Sequence, residues 1–200
     1  ASLASRVYES EAEFDRLGLD RNLRTCLIVM GSQGAGTVNQ HLENLCNHYE
    51  PDDFQIILAT GPKNYEDFMQ HIHLKGKHIH VTDFVDQLAL LSKVDLVVAR
   101  GGASTAAELT AFGVPSIIIP SPYVANNHQY YNALEMIEKK ASLLLMEDQL
   151  SAHVLYTTID QLIHDDVALM EMSNHALSLA YPDAINDIID VIKDTVHGTR

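Results

Sequence analysis

Residues 94–112 read Val-Asp-Leu-Val-Val-Ala-Arg-Gly-Gly-Ala-Ser-Thr-Ala-Ala-Glu-Leu-Thr-Ala-Phe, and Gly113 follows. An apolar run, Val94 to Ala99, meets the pair Gly101-Gly102 and then small residues that open a helical pattern. Strand, glycine turn and helix start in that order build an anion site. The first N–H groups of a helix lack intrahelical acceptors, and glycine lets a ligand come close to them. Ala103, Ser104 and Thr105 lie at that start. Glu108 lies one turn in, on the face of Ser104, where a carboxylate can accept from a ribose diol. Thr105-Ala106-Ala107-Glu108 is equally a capping box. The stretch by itself leaves both readings open.

A second unit of this kind comes earlier. The run Leu23 to Met30 feeds Gly31-Ser32-Gln33-Gly34-Ala35-Gly36, and a helix is expected from Thr37 to Tyr49. The spacing is neither the G-x-G-x-x-G fingerprint nor a Walker loop. A structural turn and a ligand loop both fit it. Further strands are expected at Phe54–Thr60, Lys77–Thr82, Pro115–Pro120 and Ser142–Glu147. Between them, helices are expected at Tyr65–Leu74, from the Asp83–Asp86 turn to Ser92, and from an Asn126 or Asn127 cap to Lys139. Short apolar runs alternating with helical patterns imply βαβ units, hence an α/β fold with a parallel sheet and helices on both faces. Ligands of such sheets bind beyond the carboxyl ends of the strands, where both glycine loops and the Asp83–Asp86 turn lie.

His128, Gln129 and Asn132 share one face at the start of a helix in that region, and could read sugar hydroxyls. A solvated helix start explains them as simply. Beyond Glu147 only helices are expected: Ala152–His164, Val167–Ala180 and Asp183–His197. Residues 1–22 read as a lead-in, with a short helix Glu11–Leu17 closed by Gly18.

Two hundred residues at 46% hydrophobic and 20% charged suit a globular chain with a full core. The formal net charge of −14 excludes a nucleic-acid partner and gives no polybasic membrane anchor. No apolar run reaches membrane-spanning length and no signal-peptide pattern is seen. Cys26 and Cys46 make no disulfide framework, so a cytoplasmic setting is expected. The chain starts without Met and is expected to be a piece of something longer. Eleven histidines include no metal-ligand set, and no G-x-S-x-G elbow supports a hydrolase. Neither a metal nor a cofactor is expected.

Several of these motifs, in this order, carry a resemblance. They are Met30-Gly31-Ser32-Gln33-Gly34-Ala35 with Asn39, Thr82-Asp83-Phe84-Val85-Asp86, Arg100 to Thr105 with Glu108, Gly113-Val114-Pro115, and Asn127-His128-Gln129 with Asn132-Ala133. Together, from about Phe14 onward, the chain resembles the C-terminal half of the MurG family of glycosyltransferases. That resemblance implies one Rossmann-like half of a GT-B architecture. Residues 1–22 would be the interdomain linker and residues 23–200 the nucleotide-sugar donor domain, without the N-terminal acceptor domain.

The implied activity is inverting transfer of N-acetylglucosamine (GlcNAc) from UDP-GlcNAc to the undecaprenyl-linked muramoyl-pentapeptide (lipid I). The product is lipid II of peptidoglycan, made at the cytoplasmic face of the membrane without a metal. The general base and the lipid contact would belong to the other domain, so the isolated chain would bind donor without transferring it. Val85 would pair with the uracil edge beside Phe84, and Glu108 would take the ribose hydroxyls. Gly102, Ala103, Ser104 and Thr105 would hold the diphosphate, with Ser32 and Gly34 approaching from the other side. Gln129, supported by His128 and Asn132, would read the sugar.

The chain departs from the family at Met30, where a Gly is usual, and at His128, where some members have Gln. Arg6 is the nearest candidate for a linker arginine that contacts the base. Three other readings keep the same site. One is a separate donor subunit, as in the two-chain dolichol-linked GlcNAc transferase. The others are a UDP-GlcNAc 2-epimerase and a nucleotide-binding module without catalysis.

Overall fold

The apolar runs rich in Val, Ile and Leu all become strands of one sheet. In the structure, a computed structural model that describes residues 3–30, 36–181 and 184–197, these are β1 (Arg24–Val29), β2 (Phe54–Ala59), β3 (Ile79–Thr82), β4 (Leu96–Ala99), β5 (Ser116–Ile118) and β6 (Ser142–Leu144). Their order is β3-β2-β1-β4-β5-β6, and every neighbouring pair is parallel. Cys26 stands opposite Ile56 on one side and Leu96 on the other, which fixes the register of the three central strands. The chain builds outward from β1 to β3, then returns to place β4 on the free side of β1. The strand order thus reverses between β1 and β4, the place where sheets of this kind open a crevice at their carboxyl ends.

Nine helices are formed by the described residues: α1 (Leu3–Leu17), α2 (Gly36–His48), α3 (Tyr65–His71), α4 (Gln87–Leu90), α5 (Ala103–Phe112), α6 (His128–Glu138), α7 (Ala152–Ile163), α8 (Asp166–Ser178) and α9 (Ala184–His197). Strand side chains alternate between two faces, and each face has its own apolar layer. Cys26 and Ile28 point to one, where Leu42 and Leu45 of α2, Phe68 of α3 and Ile159 of α7 cover them. Leu27 points to the other, under Phe14 of α1, Leu90 of α4, Leu109 of α5 and Met136 of α6. Helices thus cover both faces, as the sequence predicts.

The lead-in differs in extent. Its helix begins at Leu3 rather than Glu11, ends at Gly18 with φ +66°, and buries Phe14 and Leu19 in the second layer. The buried Gln55 ties the segment after it to the sheet. Its carbonyl oxygen accepts from the Asp20 N–H at 3.0 Å, and its amide donates to the Asp20 carbonyl at 2.8 Å and to the Thr25 hydroxyl at 2.9 Å. The helix expected to run to Ser92 is a single turn, α4, capped by the Asp86 carboxylate, which accepts from the Ala89 N–H at 3.1 Å. Cys26 and Cys46 are free and fully buried, and burial pushes both thiols up, that of Cys46 to about 12. They are core residues rather than nucleophiles. Among the described residues, no helix is long and apolar enough to cross a membrane.

Candidate functional site

Three chain segments meet at the carboxyl ends of the strands. The first is the start of α5. Gly102 takes extended angles (φ −73°, ψ 144°) and is the cap residue, and the Ala106 N–H closes the first helical bond on its carbonyl at 2.9 Å. Ala103, Ser104 and Thr105 are therefore the first three helical residues. Their N–H groups precede the helical ladder, and no side chain caps them. The capping-box reading fails for this reason. The helix begins two residues before Thr105, so Glu108 is too far into it to reach back to the cap. Its carboxylate instead accepts from Nε2 of Gln87 at 2.7 Å.

The second segment is the turn between β3 and α4. The Phe84 carbonyl accepts from the Thr82 hydroxyl at 3.1 Å and from Nη2 of Arg16 at 2.9 Å. The Asp86 N–H donates to Glu13 at 3.1 Å. Arg16 also forks onto Glu13 at 2.8 and 2.7 Å. These bonds from Arg16 hold the Glu13 carboxyl below the usual glutamate range. Val85 buries its side chain, and among the described residues no group bonds its backbone N–H or C=O. The Phe84 ring stands 65% exposed beside it.

The third segment is the start of α6. Asn127 is the cap residue, as expected, but its side chain makes no capping bond. Asn126 and Asn127 instead carry left-handed angles (φ 53° and 51°), which Asn tolerates better than most residues. The Asn132 amide donates to the Gly101 carbonyl at 3.1 Å, and the Gln129 oxygen accepts from the Ser121 N–H at 2.8 Å. A Cβ on Gly101 would lie 2.1 Å from the Gln129 carbonyl oxygen, so glycine is required where α6 crosses the turn.

Between these segments lies a cleft of about 400 Å³. Phe84, Val85, Gly102, Thr105 and Gln129 line it, together with Asp83, Gln87, Arg100, and Gly61-Pro62 after β2. Glu108 joins it through Gln87, and Asn132 through Gly101. Ala103 and Ser104 are exposed at the start of α5 beside the cleft. His128 is exposed, with Nδ1 on the Ala125 carbonyl at 3.0 Å, and is not in the lining. Ser32 and Gly34 lie outside the described residues. The side chain of Arg6 does as well, and it is Arg16 of the same helix that reaches the β3–α4 turn.

Sequence reasoning missed Gln87, Arg100, Glu13 and Arg16. Arg100 had a signal, since it directly precedes the glycine pair. The other three act across distances of 21 to 73 residues along the chain, which no local pattern encodes.

Arg100 is the one cation among the described lining residues, and it is already neutralised. Nη1 pairs with Glu147 at 2.6 Å and donates to the Ile119 carbonyl at 3.1 Å, with only 11% and 7% of the Arg100 and Glu147 side chains exposed. Positive potential for an anion therefore comes from backbone. The open start of α5 carries roughly half an elementary charge.

Comparison with known proteins agrees with this geometry. The chain matches the glycosyltransferase family 28 C-terminal domain over residues 25–188. It is 36% identical over 182 residues to the UDP-N-acetylglucosamine–N-acetylmuramyl-(pentapeptide) pyrophosphoryl-undecaprenol N-acetylglucosamine transferase of Limosilactobacillus fermentum, covering 90% of this chain and 50% of that protein. The chain thus spans about half the length of the curated relatives it matches. The crystal structure of Acinetobacter baumannii MurG superposes with a TM-score of 0.76 at 25% identity, covering 91% of this chain and 53% of that one. The fold alone is shared with a UDP-GlcNAc 2-epimerase from Neisseria meningitidis, at TM-score 0.61 and 14% identity, over 96% of this chain and 49% of that one. With a parallel sheet of this order, a cleft at its reversal point and residues 25–188 matched, the chain belongs to the glycosyltransferase family 28 C-terminal domains.

Proposed function

We propose that this chain is the donor-binding half of an inverting glycosyltransferase, which moves GlcNAc from UDP-GlcNAc to lipid I and forms lipid II. The observation that carries the reading is the pairing, across one cleft, of an unbonded Val85 backbone edge with the uncapped start of α5. An imide such as uracil offers one N–H and an adjacent carbonyl, which complement the C=O and N–H of Val85. The exposed Phe84 ring supplies a face for the base. Glu108, oriented by Gln87, accepts from the ribose hydroxyls.

The diphosphate then lies at the N–H groups of Ala103, Ser104 and Thr105, with Gly102 allowing close approach. By the resemblance of the loop after β1, Ser32 and Gly34 approach the diphosphate from the other side. The amide nitrogen of Gln129 stays available to a sugar hydroxyl because, among the described residues, only its oxygen is engaged, by Ser121. His128 and Asn132 flank it. As the acceptor hydroxyl attacks the anomeric carbon, negative charge grows on the departing UDP. The oriented N–H groups of α5 stabilise that charge without a metal. The acceptor, the general base and the membrane contact belong to the half of the relatives that this chain does not span. The chain alone binds donor and does not transfer it.

The test is a calorimetric titration of the chain with UDP-GlcNAc, using UDP-glucose and NAD as controls. Binding of the UDP ligands with GlcNAc preferred supports the reading. In addition, Glu108→Ala is expected to weaken UDP-GlcNAc by about 1–3 kcal/mol, the usual loss with a charge-assisted bond. Unchanged affinity in a folded variant removes the ribose assignment.

A further inference from the structure

We infer that Glu13 and Arg16 of α1 are positioning residues for the nucleobase, clamping the turn on either side of Val85. The inference rests on reading the cleft as a uridine-nucleotide site. Arg16 donates to the Phe84 carbonyl at 2.9 Å, and Glu13 accepts from the Asp86 N–H at 3.1 Å. The two side chains are locked to each other by a two-bond fork, so they act as one rigid unit. The clamp engages the acceptor before Val85 and the donor after it, while Val85 itself lines the cleft with its N–H and C=O unbonded among the described residues.

The turn needs such support because burial supplies little of it. Asp83, Phe84 and Asp86 are all exposed, and only Val85 is anchored in the core. A backbone edge reads a base only when its angle is fixed to within a few tens of degrees, since hydrogen bonds weaken steeply off axis. The helix that carries the clamp does not depend on it for docking. Phe14 and Leu19 are buried in the core, and Glu11 pairs with Lys93 at 2.6 Å and with Arg21. The fork also neutralises Arg16, so the arginine acts through the turn and not as a phosphate ligand.

The test uses the whole chain and UDP as the probe, with affinities from calorimetry and folding checked by the thermal melt. Arg16→Ala and Glu13→Gln are each expected to weaken UDP about tenfold, the loss that accompanies a hydrogen bond to a charged group. Arg16→Lys is expected to recover part of it, because an ammonium can still donate to the Phe84 carbonyl. Lys93→Ala removes only the part-exposed pair with Glu11, leaves α1 docked through Phe14, and is expected to bind UDP as the unaltered chain does. If Arg16→Ala melts too low to titrate, Glu13→Gln carries the same test. UDP affinity within about twofold of the unaltered chain in Glu13→Gln, or an equal loss in Lys93→Ala, overturns the clamp and leaves the cleft reading standing. A folded, unaltered chain that does not bind UDP removes the cleft reading, and the clamp with it.

Discussion

Nε2 of Gln87 donates to the Glu108 carboxylate at 2.7 Å, and this bond joins the first residue of α4 to the middle of α5 at the edge of the cleft. It gives Glu108 one aim among several rotamers. One carboxylate oxygen is engaged by Gln87, and the other is left for the ribose contact proposed above. Gln87→Leu keeps the bulk and removes the donor. It is expected to weaken UDP by about 1 kcal/mol, a typical net hydrogen-bond contribution, while 2′-deoxy-UDP binds nearly as it did before. Calorimetry with both nucleotides checks this. An equal loss for the two ligands would mean that Gln87 supports the fold and not the ribose contact.

The two glycines of the α5 turn separate into different roles. A Cβ at Gly101 meets backbone of Gln129, with the carbonyl oxygen at 2.1 Å and its carbon at 2.9 Å. Backbone cannot swing away as a side-chain tip can, so Gly101→Ala must push α6 off the turn. A destabilisation of about 1–3 kcal/mol is expected in urea unfolding, the usual cost of overpacking. At Gly102 the nearest contact is the Thr105 hydroxyl at 3.5 Å, and φ is −73°. Gly102→Ala meets no clash, and only the poorer standing of Ala at a helix cap counts against it, so a loss of about 1 kcal/mol or less is expected.

Arg100, which lines the cleft, forms an almost buried pair with Glu147. Glu147→Ala leaves a guanidinium without its counter-charge in a poorly solvated place. The expected loss is about 3–5 kcal/mol by denaturant unfolding. The contrasting pair Lys193–Asp190 has 61% and 71% of its side chains exposed. Asp190→Ala is expected to cost less than about 1 kcal/mol, since solvent already screens it.

Two histidines set opposite pH slopes. The Asp160 carbonyl, 2.7 Å from Nδ1 of His164, and then Asp53, 3.1 Å from Nε2, hold that imidazole above its ordinary value of 6.5. A raised folded value means that its stabilisation is complete below 6.5 and is lost as pH rises through the folded value. Burial pushes His80 below 6.5, so its contribution is lost as pH falls under that value. Melting temperatures measured on both sides of neutrality check the first effect. His164→Gln is expected to flatten the decline above 6.5 and leave the acid side unchanged.

Much of the fold was legible in order. The strands fell where runs rich in Val, Ile and Leu lie, because a strand covered on both faces carries few polar residues, and those it buries, such as Thr25 and Gln55, are hydrogen-bonded. The start of α5 was legible because a glycine pair followed by small residues is a local device, written in adjacent positions. Its cap was not. Thr105 and Glu108 carry a capping-box spacing, yet Gly102 begins the helix earlier because the turn must fit under α6.

The sequence by itself determined the α/β class, the glycine turn and the residues presented at the carboxyl ends of β3, β4 and β5, since each depends on neighbours within a few positions. Only the tertiary structure decided what orients them. Arg16 on the Phe84 carbonyl is 68 residues away along the chain, Arg100 with Glu147 is 47, and Gln87 with Glu108 is 21. Such pairs are made by the parallel sheet, which sets the carboxyl ends of β3, β4 and β5 along one side of the molecule. Hydrogen bonds act over about 3 Å. No pattern of nearby residues can therefore say which distant donor arrives within that range, and the fold must close before it is settled.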